Sequence, residues 1–240
     1  MAYGFNIIVS GPWACFTRPE MKVERVSYDV PTPGALVGLI KGVYWKPAIE
    51  YVIDKIVVCN PIRFVNIRRN EVKDKVKGFA IKDLMNGKQA DPTIYAAESR
   101  TQKASMILRD VKYGIQFHFQ MTGLRSDKSD ESPEKHFSML KRRLERGQYF
   151  RKPCLGCSEF PVKDMAIVDD LQSLEISSEN KGDIDLGYML YGMKFKNGGH
   201  PVNDDWEHPV FSDKADPVFY RPHMVDGVID VVKYRENSKC

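Results

Sequence analysis

The most regular stretch of the chain runs from Val111 to Thr122. There Val111, Tyr113, Ile115, Phe117, Phe119 and Met121 alternate with Lys112, Gly114, Gln116, His118, Gln120 and Thr122. A period of two is that of a β-strand, so the odd positions face a core and the even ones put Lys112, Gln116 and His118 on one open polar face. Shorter β-rich runs occur at 5–10, 49–58, 62–67 and 163–168, the first closed by Gly11-Pro12 and the second by Asn60-Pro61. Two segments change to helical spacing. In the first, Leu36, Leu39, Ile40 and Val43 follow Thr32 as cap and Pro33 at the first helical position, and Pro47 limits continuation. Its small residues Gly34, Ala35, Gly38 and Gly42 lower helix propensity, which predicts something packed tightly on its backbone. In the second, Ser132 caps and Pro133 opens a helix buried along Phe137, Leu140 and Leu144 and stopped by Gly147.

Residues 70–104 are polar and without a sustained period, with turn signals at Asn86-Gly87 and Asp91-Pro92; they predict an excursion shaped as an extended hairpin. The core order strand–helix–strand–strand–helix–strand predicts an α+β, ferredoxin-like (RRM-like) domain with an antiparallel sheet over 1–171. RNA-recognition modules bind on the open face of such a sheet. Strands expected at 185–196 and 218–234, beyond an acidic linker, make 172–240 a small β-rich C-terminal domain.

Composition places the 240 residues among ordinary soluble proteins, 42% hydrophobic and 28% charged. No apolar run reaches the roughly 18–20 residues of a membrane helix, and no secretory signal is visible, so a cytoplasmic protein without membrane contact is the simplest expectation. The net charge of +4 says little, but its distribution says more. Cations collect at 61–77 and 141–152, including Arg68, Arg69, Arg142, Arg143 and Arg146, while 169–185 is acidic. Clustered cations suit a polyanionic partner because phosphate neutralisation supplies much nucleic-acid affinity.

Candidate chemistry gathers at two places. The loop 16–30 carries Arg18, Lys22 and Arg25 and feeds the first helix, which ends in Tyr44 and Lys46; this suits the grip of a phosphodiester, though a solvated loop and a core helix read the same way. On the sheet, His118 stands beside Lys112 and Gln116. Cys154 and Cys157 have zinc-ligand spacing without a second pair, and free thiols are the better reading. No glycine fingerprint for a nucleotide is present, and neither metal nor cofactor is expected.

Five motifs carry a more specific likeness: Phe16 to Glu20, Val23 to Thr32, Tyr44 to Ala48, Asn66 to Glu71 and Cys154 to Phe160. Together they resemble the fifth family of CRISPR-associated proteins in its Dvulg or type I-C subtype, over nearly the whole chain. The resemblance implies an endoribonuclease that cuts precursor repeat RNA at the base of the hairpin without a metal. It then remains as the 5′-handle-binding subunit of the type I-C Cascade complex, with the stem-loop RNA and the other Cascade subunits as partners. It further implies Tyr44 and His118 as catalytic residues; Gln116 stands where relatives carry a lysine, and Lys112 or Lys46 could replace that cation. Arg18, Lys22, Arg25, Arg68, Arg69, Arg142, Arg143 and Arg146 are expected on RNA phosphates. Relatives of other subtypes are structural subunits only, so a non-catalytic 5′-handle-binding role is the alternative.

Overall fold

A computed structural model of the chain describes residues 3–21, 23–123, 132–195, 200–205, 208–212 and 214–235; Lys22 lies outside the described residues. It contains β1 (Tyr3–Ala14), β2 (Arg25–Val26), α1 (Pro33–Val43), β3 (Ile49–Val58), β4 (Phe64–Val72), α2 (Gly78–Met85), β5 (Arg100–Met121), α3 (Pro133–Glu145) and β6 (Asp164–Ile167). There follow β7 (Asp183–Asp185), β8 (Met189–Phe195), β9 (Ala215–Tyr220), β10 (His223–Val225) and β11 (Val228–Asp230), with a 3-10 turn over Val231–Tyr234.

The alternating stretch is the second half of β5, and β5 is the spine of the sheet. Its 111–121 half pairs antiparallel with β1 on one side and β3 on the other, while its 100–108 half pairs with β4 and, in parallel, with β2. The main strand order is β6-β1-β5-β3-β11-β10-β7. Tyr113, Ile115, Phe117 and Phe119 are buried against α1 and α3, which contribute Leu36, Leu39, Ile40, Val43, Leu140 and Leu144. Both helix starts are as the sequence demands. Thr32 Oγ1 accepts from the Ala35 N–H at 3.2 Å and Ser132 Oγ from the Lys135 N–H at 3.3 Å, satisfying donors that a helix start leaves unpaired.

The glycines of α1 mark close approaches. A methyl group on Gly34 would lie 3.1 Å from the Gly192 Cα of β8, and one on Gly42 would lie 3.1 Å from the Arg151 carbonyl oxygen. The helix is thus wedged between β8 and the loop that follows α3.

Several boundaries differ from expectation. The third β-run is β4 and begins at Phe64 rather than Ile62; it continues through Val72, paired residue by residue with β5 down to Arg100. The excursion is therefore a long β4–β5 arm, and it also carries α2. The expected strand at 218–234 is broken into the end of β9, then β10, β11 and the 3-10 turn. Val225 pairs with Val228 around Asp226-Gly227, whose φ values of 47° and 76° are those of a two-residue type I′ hairpin. That Asp-Gly signal was in the sequence, inside a run whose apolar content masked it. β11 pairs with β3, so part of the C-terminal segment extends the main sheet, while β8 and β9 form a separate ribbon.

Gly156 offers a stability test. Its φ is 87°, and a methyl group there would lie 2.0 Å from the Cys15 carbonyl oxygen, whereas Gly182 has φ 86° and open space. Gly156→Ala should cost more than about 1 kcal/mol. It should also cost more than Gly182→Ala, read as a lower urea midpoint at unchanged slope.

Candidate nucleic-acid interface

His118 lies on the even face of β5, opposite Gly4 of β1 and Val52 of β3. The register with β3 slips between Ile53 and Lys55, which leaves Asp54 as an extra, bulged residue. Bulges re-aim side chains, and this one brings the Asp54 carboxylate to 2.8 Å from His118 Nδ1. Nδ1–H therefore donates to Asp54, and Nε2 accepts from the Gln120 side-chain amide at 3.2 Å. Arg235 closes the array by donating to Asp54 and, at 2.8 Å, to the Ile53 carbonyl oxygen. A cavity of about 570 Å³ opens here, lined by Gly4, Asn6, Asp54, Gln116, His118 and Val232 among others. His118 and Gln116 are together, as the alternation implied; Asp54 and Arg235 were missed. The phase of the second β-run held the signal, because apolar positions 49, 51 and 53 step by two and then jump by three to Ile56.

The polar face is not open along its length. The segment 168–176 crosses it, with Leu171 and Leu174 packed where a side chain on Gly114 would stand, and Asn6 Nδ2 donates to the Asp169 carbonyl oxygen at 3.0 Å. Val168, Leu174 and Ile176 complete a small apolar cluster with Val57, Cys59 and Leu171. What was expected as one polar face is two windows, one around His118 and Gln116 and the other around Lys112.

Tyr44 is elsewhere. It ends α1, is 2% exposed and belongs to the core on the odd side of β5. Its hydroxyl lies 2.8 Å from His136 Nδ1 of α3, its carbonyl oxygen accepts from Tyr51, and the Arg143 guanidinium sits 5.2 Å from its ring centre. His136 in turn lies edge-on to Phe119, a residue of the odd face. Tyr44 and His118 are thus on opposite sides of the sheet and are not brought together. Lys46 is exposed just beyond α1.

The arginines divide into two groups. Arg18 pairs with Asp29 at 3.3 Å, Arg25 with Glu159 at 3.0 Å, and Arg69 with both Glu71 at 2.9 Å and Glu159 at 2.8 Å. The carboxyls show it. Glu71 is held below the ordinary range first by a hydrogen bond from Lys103, and Glu159 first by a backbone N–H and then by Arg25 and Arg69. Arg143 donates to the Val43 carbonyl oxygen at 2.7 Å, capping the negative end of α1. Arg68, Arg142 and Arg146 are exposed, with no carboxylate partner among the described residues. Cys157 contacts Thr17, Arg25 and the Cys15 carbonyl oxygen, and no cluster of metal-ligating side chains occurs among the described residues. No helix among them is long and apolar enough to cross a membrane.

Comparison with known proteins adds identity to geometry. A family model described as CRISPR-associated protein (Cas_Cas5) matches residues 7–232. The chain is 42% identical over 234 residues, 96% of each chain, to a protein of Mannheimia succiniciproducens named CRISPR pre-crRNA endoribonuclease Cas5d. It is 33% identical over 242 residues to a Thermus thermophilus protein of the same name, covering 96% of this chain and 93% of the relative. A solved structure titled Crystal Structure of CRISPR-associated Protein superposes with a TM-score of 0.62 at 25% identity, covering 95% of this chain and 90% of that one.

The Tyr44–His136 contact is buried, so Tyr44→Phe should cost stability. The loss expected is about 1–3 kcal/mol, seen as a lower denaturation midpoint, because a buried polar partner is left behind.

Proposed function

The chain belongs to the Cas5 family of CRISPR-associated proteins, in its Cas5d (type I-C) branch, and we propose that it is the endoribonuclease that matures CRISPR RNA. On this reading it cuts precursor repeat RNA at the hairpin base by attack of a 2′-OH on the adjacent phosphate, without a metal. It then keeps the 5′ handle as a subunit of the type I-C Cascade complex. The names of the curated relatives support the activity. The observation that carries the site is the Asp54–His118–Gln120 array on the polar face of β5.

The chemistry follows from that array. Asp54 holds Nδ1–H and so leaves the Nε2 lone pair pointing to the window, where imidazole can take a proton from the 2′-OH or, once protonated, give one to the leaving 5′ oxygen. Gln120 orients the ring and has to yield its bond when RNA arrives. Gln116 offers an amide N–H to phosphate oxygens but no charge. One phosphodiester cannot touch residues on both sides of the sheet, so we assign proton transfer to His118. Tyr44 becomes a positioning residue that ties α1 to α3. The core is read here as ferredoxin-like: β1, β3, β5 and β6 in the order β6-β1-β5-β3, with α1 and α3 on one face, support it. The division into 1–171, carrying RNA binding and catalysis, and 172–240, a β-rich brace, belongs to the same proposal.

A second reading, a non-catalytic 5′-handle-binding subunit, is favoured by Gln116 in place of a lysine. Incubating the protein with its repeat RNA in EDTA separates the two. One cut leaving a 2′,3′-cyclic phosphate and a 5′-hydroxyl supports the enzyme; tight binding with no cut supports the subunit. Under single-turnover conditions His118→Ala should abolish cutting while binding persists, and Tyr44→Phe should still cut at temperatures where it is folded. The reverse pattern would move the chemistry to the Tyr44–His136 side. Charge makes a further prediction. Neutralising Arg68, Arg142 and Arg146 together should flatten the salt dependence of RNA binding by about 2 in logarithmic slope, at about 0.7 per phosphate contact on single strands. Neutralising Arg18, Arg25 and Arg69, which already face carboxylates, should change it less.

A further inference from the structure

At the β6 edge of the sheet a second cavity, of about 520 Å³, opens over the β1–β6 ladder between residues 8–10 and 164–166. Its rim carries Lys112, Lys152, Lys163 and Tyr149, three cations and one aromatic ring from three separate parts of the chain. We propose that this pocket seats a single unpaired nucleotide of the RNA, its phosphate among the three lysines and its base against the Tyr149 ring. The inference rests on the reading of the protein as an RNA-maturation enzyme and adds to it a site outside the His118 window.

Four observations carry it. First, among the described residues no carboxylate lies within ion-pair distance of Lys112, Lys152 or Lys163, in contrast to Arg18, Arg25 and Arg69. The one carboxylate lining the pocket, Asp164, accepts a hydrogen bond from Ser10 Oγ at 3.1 Å. Second, the aromatic ring stands on a fixed support. The Phe150 and Arg151 N–H groups both donate to the Gly42 carbonyl oxygen, at 3.0 and 2.9 Å, and Gln148 N–H donates to the Arg143 carbonyl oxygen at 2.8 Å. Gly42 permits this approach because a methyl group there would crowd Arg151. Tyr149 and its neighbour Phe150 nevertheless remain 50% and 88% exposed, an apolar expenditure that the fold itself does not use. Third, the size is that of a small-ligand site, within the roughly 300–1,000 Å³ usual for them. A concave pocket takes a splayed base; an A-form duplex offers a wide, shallow groove that proteins recognise by shape instead. Fourth, the pocket is separate from the His118 window. Lys112 is six residues from His118 on the same face of β5, about 20 Å along the strand, and the segment 168–176 lies between them over Gly114. The nucleotide it holds is therefore one that flanks the hairpin, several positions from the cut.

Lysine and aromatic side chains together suit this task, since an ammonium is a point charge for phosphate and a phenol ring stacks on any base. The test compares two RNAs by fluorescence anisotropy, the repeat hairpin alone and the hairpin with its single-stranded flank. Tyr149→Ala should weaken the flanked RNA by about 5- to 150-fold, the range for one stacked base, and leave the bare hairpin unchanged. Tyr149→Phe should restore wild-type binding, and the double variant Lys152→Ala, Lys163→Ala should reproduce the selective loss. An equal loss on both RNAs, or none on either, overturns the pocket while leaving the enzyme reading intact. Failure of the wild-type protein to bind either RNA overturns both.

Discussion

Strand β5 is hydrogen-bonded along its length to four other strands, and beyond Asp110, from Val111 to Gln120, its side chains alternate between two sides. Everything placed on it is committed to one face. The odd residues from Val111 to Phe119 are buried under α1 and α3 at the centre of the core. The even residues are left to meet solvent, a covering segment or a ligand. A one-residue slip would exchange the two sets, so burial of Ile115, Phe117 and Phe119 is also what keeps Gln116 and His118 on the other side. The proposed catalytic array depends on the core through this geometric lock.

The same lock separates Tyr44 from His118. Tyr44 belongs to the core by burial and by its bond to His136, so on the proposed reading any effect it has on RNA passes through the position of α1 and α3. His118 is built differently: its orienting partner Asp54 exists only because β3 carries an extra residue, and Arg235 anchors that carboxylate from the far end of the chain. A buried tyrosine hydroxyl has one geometry it can keep, whereas a half-buried imidazole with one nitrogen held and the other facing a cavity can exchange its second partner. That asymmetry is why the histidine is the stronger candidate for proton transfer.

How much of this was legible in the chain follows from the range of each interaction. The period-two alternation, the Thr32 and Ser132 caps and the small-residue content of α1 are local, and they are where the sequence placed them; the partners packed on its glycines, Gly192 and Arg151, are not local. The core strands and two main helices followed. The bulge at Asp54 is also local, visible as a break of phase, but looks like noise until the register with β5 is known. Arg235, the seating of 168–176 across Gly114 and the pairing of β11 with β3 join residues more than 50 positions apart, and no periodicity records them. Charge clusters were legible as clusters; which cations already had carboxylates was not, because Glu159 and Asp29 reach Arg25, Arg69 and Arg18 only in the fold.

Those pairs change how a basic surface should be counted. An exposed ion pair contributes little to stability, about 0–1 kcal/mol. It does reduce what the arginine offers to a phosphate, since the incoming anion must displace a carboxylate rather than water and mobile counterions. Arg25, Arg69, Glu71, Lys103 and Glu159 form one connected network whose charges largely cancel. Its position links β2, the β4–β5 arm and the loop after α3, so its role is to hold that arm against the body. Arg68, Arg142 and Arg146, together with Lys112, Lys152 and Lys163, are among the described cations without such partners, and on the proposed reading they are cations whose counterions RNA would release. An RNA path should therefore be traced through unpaired charge, and the path we propose runs from the end of α3 to the β6 edge, beside the exposed rings of Tyr149 and Phe150.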